Sequence, residues 1–319
     1  MNINELLRLY LQGEKDFNRV RLSGVEIIQA NLTQIELNHS DLSWTNLSAT
    51  DLSGGDLSHA DLVNSSIISS RLIGTKLQNS DLSYADLSWS NFNGADLSYA
   101  DLSYANLANS FLSNTNFSYA NLTGANLTGA NLTGANFTRA NLFQADLTGL
   151  NLMGADFTYA DLSNTNLQGS NLSEANFYRA DLQHCQLRKA NLTGLILYKA
   201  NLAKANLRSA NLSGAILKDI SNNEFQLLKI RRKTGGKNQI IFTHANLQEV
   251  NLEGSNIEEG NFNYALFREA ILLNINASNG SFIEANLQNA DLRNADLRGS
   301  ALGGVNLTET KMPDGSIHP

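Results

Sequence analysis

The sequence predicts an all-β solenoid, a parallel β-coil with four sides, and two periodicities carry that prediction. The first is five residues long. From Phe17 to Leu217 every fifth residue is Leu, Ile or Phe, 41 in succession. The same phase resumes at Phe242 and holds to Met312, with Ala277 and Met312 as its departures. Two residues before each central residue sits something small, usually Ala, Ser or Thr, and immediately before it mostly Asn or Asp. A straight helix would rotate such a series by about 500° per step and smear it around the cylinder. A straight strand would send successive leucines to opposite faces, because five is odd. The chain must therefore turn once per unit, with Leu and the small residue inside and Asn or Asp outside. The second period is twenty. The positions two after the central residue read Gln34, Gly54, Gly74, Gly94, Asn114, Gly134, Gly154, Glu174, Gly194 and Gly214. Seven of these ten are Gly, against three, one and none in the other columns, which marks one preferred corner where positive φ suits a type II turn. Phe117, Phe137, Phe157 and Phe177, then Phe242, Phe262 and Phe282, are also spaced by 20, so their rings should stack on successive coils.

The elements follow in chain order. Residues 1–16 form a helical cap: Asn2 with Glu5 resembles a capping box, and Ile3, Leu6, Leu7, Tyr10 and Leu11 make an apolar face. Residues 17–220 are the first run of coils. In residues 221–241 the pattern fails, with Asn222, Arg232 and Lys237 at central positions. There Gly235-Gly236 between β-prone runs signals a protruding hairpin, its arms near Leu227–Thr234 and Lys237–Phe242. Because 222–241 spans one full period, a degenerate coil with a long corner loop competes with that reading. Residues 242–312 resume the coil, and from Lys311 the chain should turn away and close the end, leaving 313–319 as a tail. About 15 coils at a strand spacing of ~4.8 Å give a rod on the order of 70 Å.

The unit Ala-(Asn/Asp)-Leu-(Ser/Thr)-Xaa resembles the pentapeptide-repeat family over about Phe17 to Met312. That resemblance implies a right-handed quadrilateral β-helix. The opening Glu5-Leu6-Leu7-Arg8-Leu9-Tyr10 with Gly13-Glu14, and the close Met312-Pro313-Asp314-Gly315, are similar to those of cyanobacterial members.

Composition narrows function by exclusion. The 319 residues are 42% apolar and 17% charged, with 23 basic and 30 acidic groups for a net −7. One cysteine, Cys185, rules out an internal disulfide framework or a Cys-based zinc module, and its small inward position reads as a buried Ala substitute. No stretch reaches the length of a membrane span, and Glu5, Arg8 and Glu14 interrupt any leader-like start, so a soluble cytoplasmic protein is expected. Four leucines and four small residues per coil leave no concave site for a substrate, so no enzyme, cofactor or metal centre is expected. Of five histidines only His39 and His59 share a column, which fits two solvated side chains. The recurrent Asn-Leu-Ser/Thr sequons, as at Asn121, Asn126 and Asn131, are by-products of the repeat.

Charge is segregated along the axis. Residues 41–165 carry 3 basic and 11 acidic groups, 166–220 carry 7 and 3, 221–243 carry 5 and 1, and 244–319 carry 4 and 10. Asp41, Asp61, Asp81 and Asp101 fall in one outward column as a candidate acidic ladder. Tyr84 with Tyr104, and Tyr99 with Tyr119, form candidate aromatic contacts, with Trp44 and Trp89 also at corners. Arg231, Arg232, Lys233 and Lys237 form a candidate basic contact at the hairpin tip, whose plainer reading is a solvated turn. A stiff rod with varied corners offers a long surface and no pocket, so the expected partner is another protein rather than a small molecule or nucleic acid. The alternative, a DNA mimic acting on a type II topoisomerase such as gyrase, is implied by the family. B-DNA carries about one charge per 1.7 Å, whereas the acidic section carries about one net charge per 4 Å.

Overall fold

A computed structural model describes residues 2–197, 200–203, 205–208, 210–212 and 240–319. The chain is a right-handed quadrilateral β-helix with one short helix, α1 (Ile3–Leu11), at its start. Each side contributes one parallel bridge at its Asn/Asp position, as in Asp41↔Asp61↔Asp81↔Asp101, and the register is 20 residues throughout 16–211.

Five backbone N–H groups must be satisfied in each unit, and the motif satisfies all five. In 41–45, Asp41 N–H donates to Val20 O in the preceding coil at 3.0 Å. Leu42 and Trp44 N–H donate to Asp61 O (2.7 Å) and Val63 O (2.9 Å) in the next, and Thr45 N–H closes the corner on Leu42 O at 3.2 Å. The remaining donor, Ser43 N–H, points to the side of the tube and is taken by Asp41 Oδ1 at 3.2 Å. The same side-chain bond recurs at Asp61 to Val63, Asp101 to Ser103, Asn121 to Thr123 and many other units. Asn and Asp are therefore more than outward polar residues. They cap the one N–H that neither the turn nor the adjacent coils reach.

The tube is solid. Leu42, Leu62, Leu82 and Leu102 are all fully buried, with Ser40, Ala60, Ser80 and Ala100 filling the space between them. Inward hydroxyls donate to central-residue carbonyls, as in Thr45 Oγ1 to Leu42 O (2.6 Å) and Ser110 Oγ to Leu87 O (3.0 Å). The phenylalanines stack as expected: Phe117–Phe137, Phe137–Phe157 and Phe157–Phe177 centroids are 5.1, 4.9 and 4.8 Å apart, and Phe242–Phe262 and Phe262–Phe282 are 5.2 and 4.9 Å apart. Each buried ring contributes roughly 1.5–3 kcal/mol by removal from water.

Four expectations are corrected. The glycine column does not mark a unique corner. One coil has φ of 59° at Trp44, 58° at Ala49, 68° at Gly54 and 58° at His59. Every corner is a turn of the same kind, and the non-glycine corners each carry a left-handed cost of order 1 kcal/mol that the corner and coil hydrogen bonds offset. In α1, Asn2 Oδ1 accepts Glu5 N–H at 2.9 Å, but Leu11 is 85% exposed and Leu9 packs on the core with Ile3, Leu6, Leu7 and Tyr10. The reading of 222–241 as a degenerate coil fails, because Asn201, Asn206 and Asn211 bridge directly to Ile241, Asn246 and Asn251. Leu202 N–H to Ile241 O is 2.8 Å, so coils 40 residues apart in sequence lie one above the other. The stack is one coil shorter than expected, and the hairpin expected at 225–240 lies outside the described residues. Finally, the tail does not close the end. Lys311 pairs antiparallel with Ile317 and His318 N–H donates to Thr310 O, so 311–318 folds against its own side and leaves Leu302 37% exposed.

Candidate interaction surface

One side of the tube runs between two corners. Its first corner column reads His39, His59, Asn79, Tyr99, Tyr119, Arg139, Tyr159 and Arg179. Its second reads Trp44, Asn64, Tyr84, Tyr104 and Gly124. Between them stands the outward column Asp41, Asp61, Asp81 and Asp101, continued by Asn121 and Asn141. The acidic and aromatic candidates, read separately from the sequence, thus share one face. The signal was present in the single unit Tyr99-Ala-Asp101-Leu-Ser-Tyr104, whose two ends are the two corners of that side.

Both columns are stacked. Tyr84 and Tyr104 lie 5.3 Å apart at 12°, Tyr99 and Tyr119 4.6 Å at 8°, and His39 and His59 4.6 Å at 28°. Tyr84, Tyr99 and Tyr104 each remain more than half exposed, and Trp44 is 66% exposed. Tyr104 rests on Gly124, where a Cβ would fall 2.8 Å from its ring, so this corner needs glycine for space as well as for its φ of 65°. Further along, Arg139 lies over Tyr119 (5.5 Å) and Tyr159 (5.0 Å), and Arg179 lies over Tyr159 (5.3 Å). Sequence reasoning missed this alternating cation–π column, although Tyr119, Arg139, Tyr159 and Arg179 are spaced by 20.

In the acidic column each Oδ1 is engaged with its own unit's backbone, at Ser43, Val63, Ser83 and Ser103, and Asp101 also accepts from Asn121 Nδ2 at 3.1 Å. Among the described residues no cation pairs with these four carboxylates. Acids on two other sides differ. Asp51 meets Arg71 at 3.2 Å and Asp56 meets Lys76 at 3.8 Å. Partial burial pushes both carboxyls up, but hydrogen bonds from Ser53 and Ser58 and the neighbouring cations outweigh it, leaving both below their ordinary values.

The basic candidates Arg231, Arg232, Lys233 and Lys237 lie outside the described residues. Beside that segment Arg208 pairs with Glu249 at 2.7 Å, tying the two coils that flank it. Trp89 and Phe111 are exposed elsewhere on the tube. Cys185 is fully buried, and burial pushes its thiol well above the usual range. A recess of about 590 Å³ near the C-terminal end, lined by Leu273, Asn274, Arg293, Asn294, Pro313, Asp314 and Gly315, opens broadly to solvent. Among the described residues no three His, Cys, Asp or Glu side chains gather as a metal would require, and no helix is long and apolar enough to cross a membrane.

The family model described as pentapeptide repeats (8 copies) matches residues 16–54, 45–83, 56–94, 95–134, 120–158, 135–173, 155–194, 185–220, 242–274 and 281–312. Among solved structures, HetL is a pentapeptide repeat protein involved in heterocyst differentiation regulation from the cyanobacterium Nostoc sp. strain PCC 7120. It shares 29% identity over 100% of both chains, with a TM-score of 0.28. QnrB1, a plasmid-mediated fluoroquinolone resistance protein, shares 18% identity over 86% of this chain and 90% of its own, with a TM-score of 0.28. Rfr23 from the cyanobacterium Cyanothece 51142 shares 28% identity over 41% of this chain and 92% of its own, with a TM-score of 0.17. No curated protein matches the chain.

Proposed function

This chain belongs to the pentapeptide-repeat family, and we propose that it works as a rigid, non-enzymatic scaffold that binds another protein through its side. The observation that supports this reading is where the chain spends its side chains. The interior is leucine, phenylalanine and small residues packed to zero exposure, while large aromatics that could have been buried stand outside at Trp44, Tyr84, Trp89, Tyr99, Tyr104 and Phe111. Aromatic side chains in such numbers on one half of a rod are characteristic anchors of protein interfaces. A solid tube with flat sides also holds those anchors in fixed spacing, so little ordering is required on binding. A chain whose one thiol is buried gains nothing from an oxidising compartment, which accords with a cytoplasmic setting.

The test is capture from the native host by crosslinking. Wild type should retain a partner in near-equimolar amount, and the variant Trp44→Asn/Tyr84→Asn/Tyr104→Asn should lose it while unfolding at the same temperature. Absence of any partner retained above background by the wild type would refute the scaffold reading.

The acidic column supports a second reading, mimicry of duplex DNA towards a type II topoisomerase. Two observations weigh against it. Arg71 and Lys76 already pair with Asp51 and Asp56 on two other sides, and Arg139 and Arg179 begin a basic section within the same rod. Inhibition of gyrase supercoiling at micromolar protein, abolished by Asp61→Asn/Asp81→Asn, would establish this reading instead.

A further inference from the structure

We propose that the C-terminal end of the tube is a docking face for an amphipathic α-helix of a partner protein, a contact separate from the side-binding reading above. The two ends of the tube differ. At the first coil the central residues Phe17, Leu22, Ile27 and Leu32 are no more than 3% exposed, because α1 lies across them and packs Ile3, Leu6, Leu7, Leu9 and Tyr10 on the core. At the last coil the corresponding residues have no such cover. Leu297, Leu307 and Met312 are half-buried, as is Val305 beside them, and Leu302 is 37% exposed. In every described coil between these two the central residue is buried. The exposed apolar layer is therefore confined to one end.

The other end shows what chemistry covers such a layer. Beneath α1 the N–H groups of Arg21, Glu26 and Asn31 on the first rim have no protein partner among the described residues, and those of Leu297, Leu302 and Leu307 on the last rim have none either. Rim backbone is left to solvent at both ends, so what an end requires is a cover for its leucines. At the first end that cover is a helix with apolar residues at i, i+3, i+4 and i+7, namely Ile3, Leu6, Leu7 and Tyr10. The last end offers a seat of the same kind. Its tail raises a lip on one side, with Ile317 paired on Lys311, Met312 N–H donating to Ser316 O at 2.7 Å and His318 N–H to Thr310 O at 2.9 Å. Elsewhere the rim is low, since Gly299, Ala301, Gly303 and Gly304 carry little or no side chain. Two other occupants do not fit. A straight strand could follow the rim along one side only, because it turns at Gly299 and Gly304, with φ of 72° and 69°. A second copy meeting end to end would be held off by the lip, which stands about one strand spacing (~4.8 Å) above the remaining rim. A helix about 10 Å across lies beside the lip and over the leucines.

The experiment supplies the α1 sequence in trans. A fluorescein-labelled peptide of residues 2–12, locked as a helix by a lactam across Asn4→Glu and Arg8→Lys, is titrated against the full chain and read by anisotropy. The wild type should bind it at sub-millimolar concentration, and the peptide carrying Leu6→Asp/Leu7→Asp at least tenfold more weakly. The chain variant Leu302→Asp should bind the unaltered peptide at least fivefold more weakly, with unchanged hydrogen-exchange protection over 242–292 showing that it is folded. A benzophenone carried at position 7 of the peptide should crosslink within 295–312 of the wild type, a readout that needs no variant. The side variant Trp44→Asn/Tyr84→Asn/Tyr104→Asn should bind the peptide as the wild type does, which separates this contact from the side. No binding at 1 mM peptide, or equal binding by Leu302→Asp, overturns the proposal. Crosslinks confined to 17–37 also overturn it, since the peptide would then be replacing α1. A concentration-dependent wild-type dimer that Leu302→Asp lacks overturns it as well, by assigning the end to a second copy.

Discussion

Replacing Asp61 by Asn tests the electrostatic account of the ladder directly, because it changes one atom's chemistry and keeps the shape. Asp61 lies between Asp41 and Asp81 at one coil spacing on each side. At ~4.8 Å in water, each neighbour costs about 0.9 kcal/mol unscreened, so two cost about 1.7, falling to about 1 at physiological salt. The new amide can also donate to Asp41, as Asn121 does to Asp101 at 3.1 Å, for about 1 kcal/mol more. Asn keeps the Oδ1 that accepts Val63 N–H at 3.1 Å, whereas Ala leaves that donor to water. D61N should thus raise the local opening free energy by about 1–2 kcal/mol, with the gain shrinking to about 1 kcal/mol at 1 M NaCl. D61A should be near neutral, its relief of repulsion offset by the lost cap. Hydrogen exchange by mass spectrometry on peptides covering 58–84 reads this locally, which matters in a rod whose coils open in segments. If D61N gained no more than D61A, or gained equally at all salt concentrations, the column would not be the repelling, backbone-capping array described.

Gly124→Ala should destabilise by about 1–2 kcal/mol, since its corner is left-handed and the added carbon meets the Tyr104 ring at 2.8 Å; thermal unfolding gives the loss and near-UV circular dichroism the disturbed tyrosine pair. The hydrogen bond from Arg298 holds the Asp296 carboxyl at about 2, below its ordinary 3.8. Its stabilising contribution is therefore complete above about pH 4 and lost as pH falls through 2. Carboxyl-carbon NMR titration should show that midpoint, and Arg298→Ala should return it towards 3.8. Cys185, fully buried with its thiol pushed up by desolvation, should resist iodoacetamide at pH 8 until the chain is unfolded in denaturant, as mass spectrometry would show.

The tube was legible because its cause is written once per five residues. Leu at every fifth position and a twenty-residue stack of Phe117, Phe137, Phe157 and Phe177 have no other common solution. Three features were not legible, each for a physical reason. The Asn/Asp position looked merely outward, since a side chain capping its own unit's N–H leaves the same sequence pattern as one facing water. The corners looked unequal because glycine reports backbone freedom, yet Trp44 and Tyr104 adopt the same φ under the pull of hydrogen bonds to the next coil. The direct contact of Asn201 with Ile241 was hidden because an excursion of one full period leaves the phase of every later leucine unchanged. The face shared by Asp41 to Asp101 and Tyr84 to Tyr119 was readable in its parts, and only their common side required the fold.

That seamless junction at Asn201 and Ile241 makes the molecule a ruler with a socket. Material inserted there leaves the divisions above and below aligned, so a foreign domain grafted between 212 and 240 would ride on the shaft at a fixed height from the Asp41–Asp101 column. Adding or removing twenty residues elsewhere would change the shaft's length by one division without rotating what it carries.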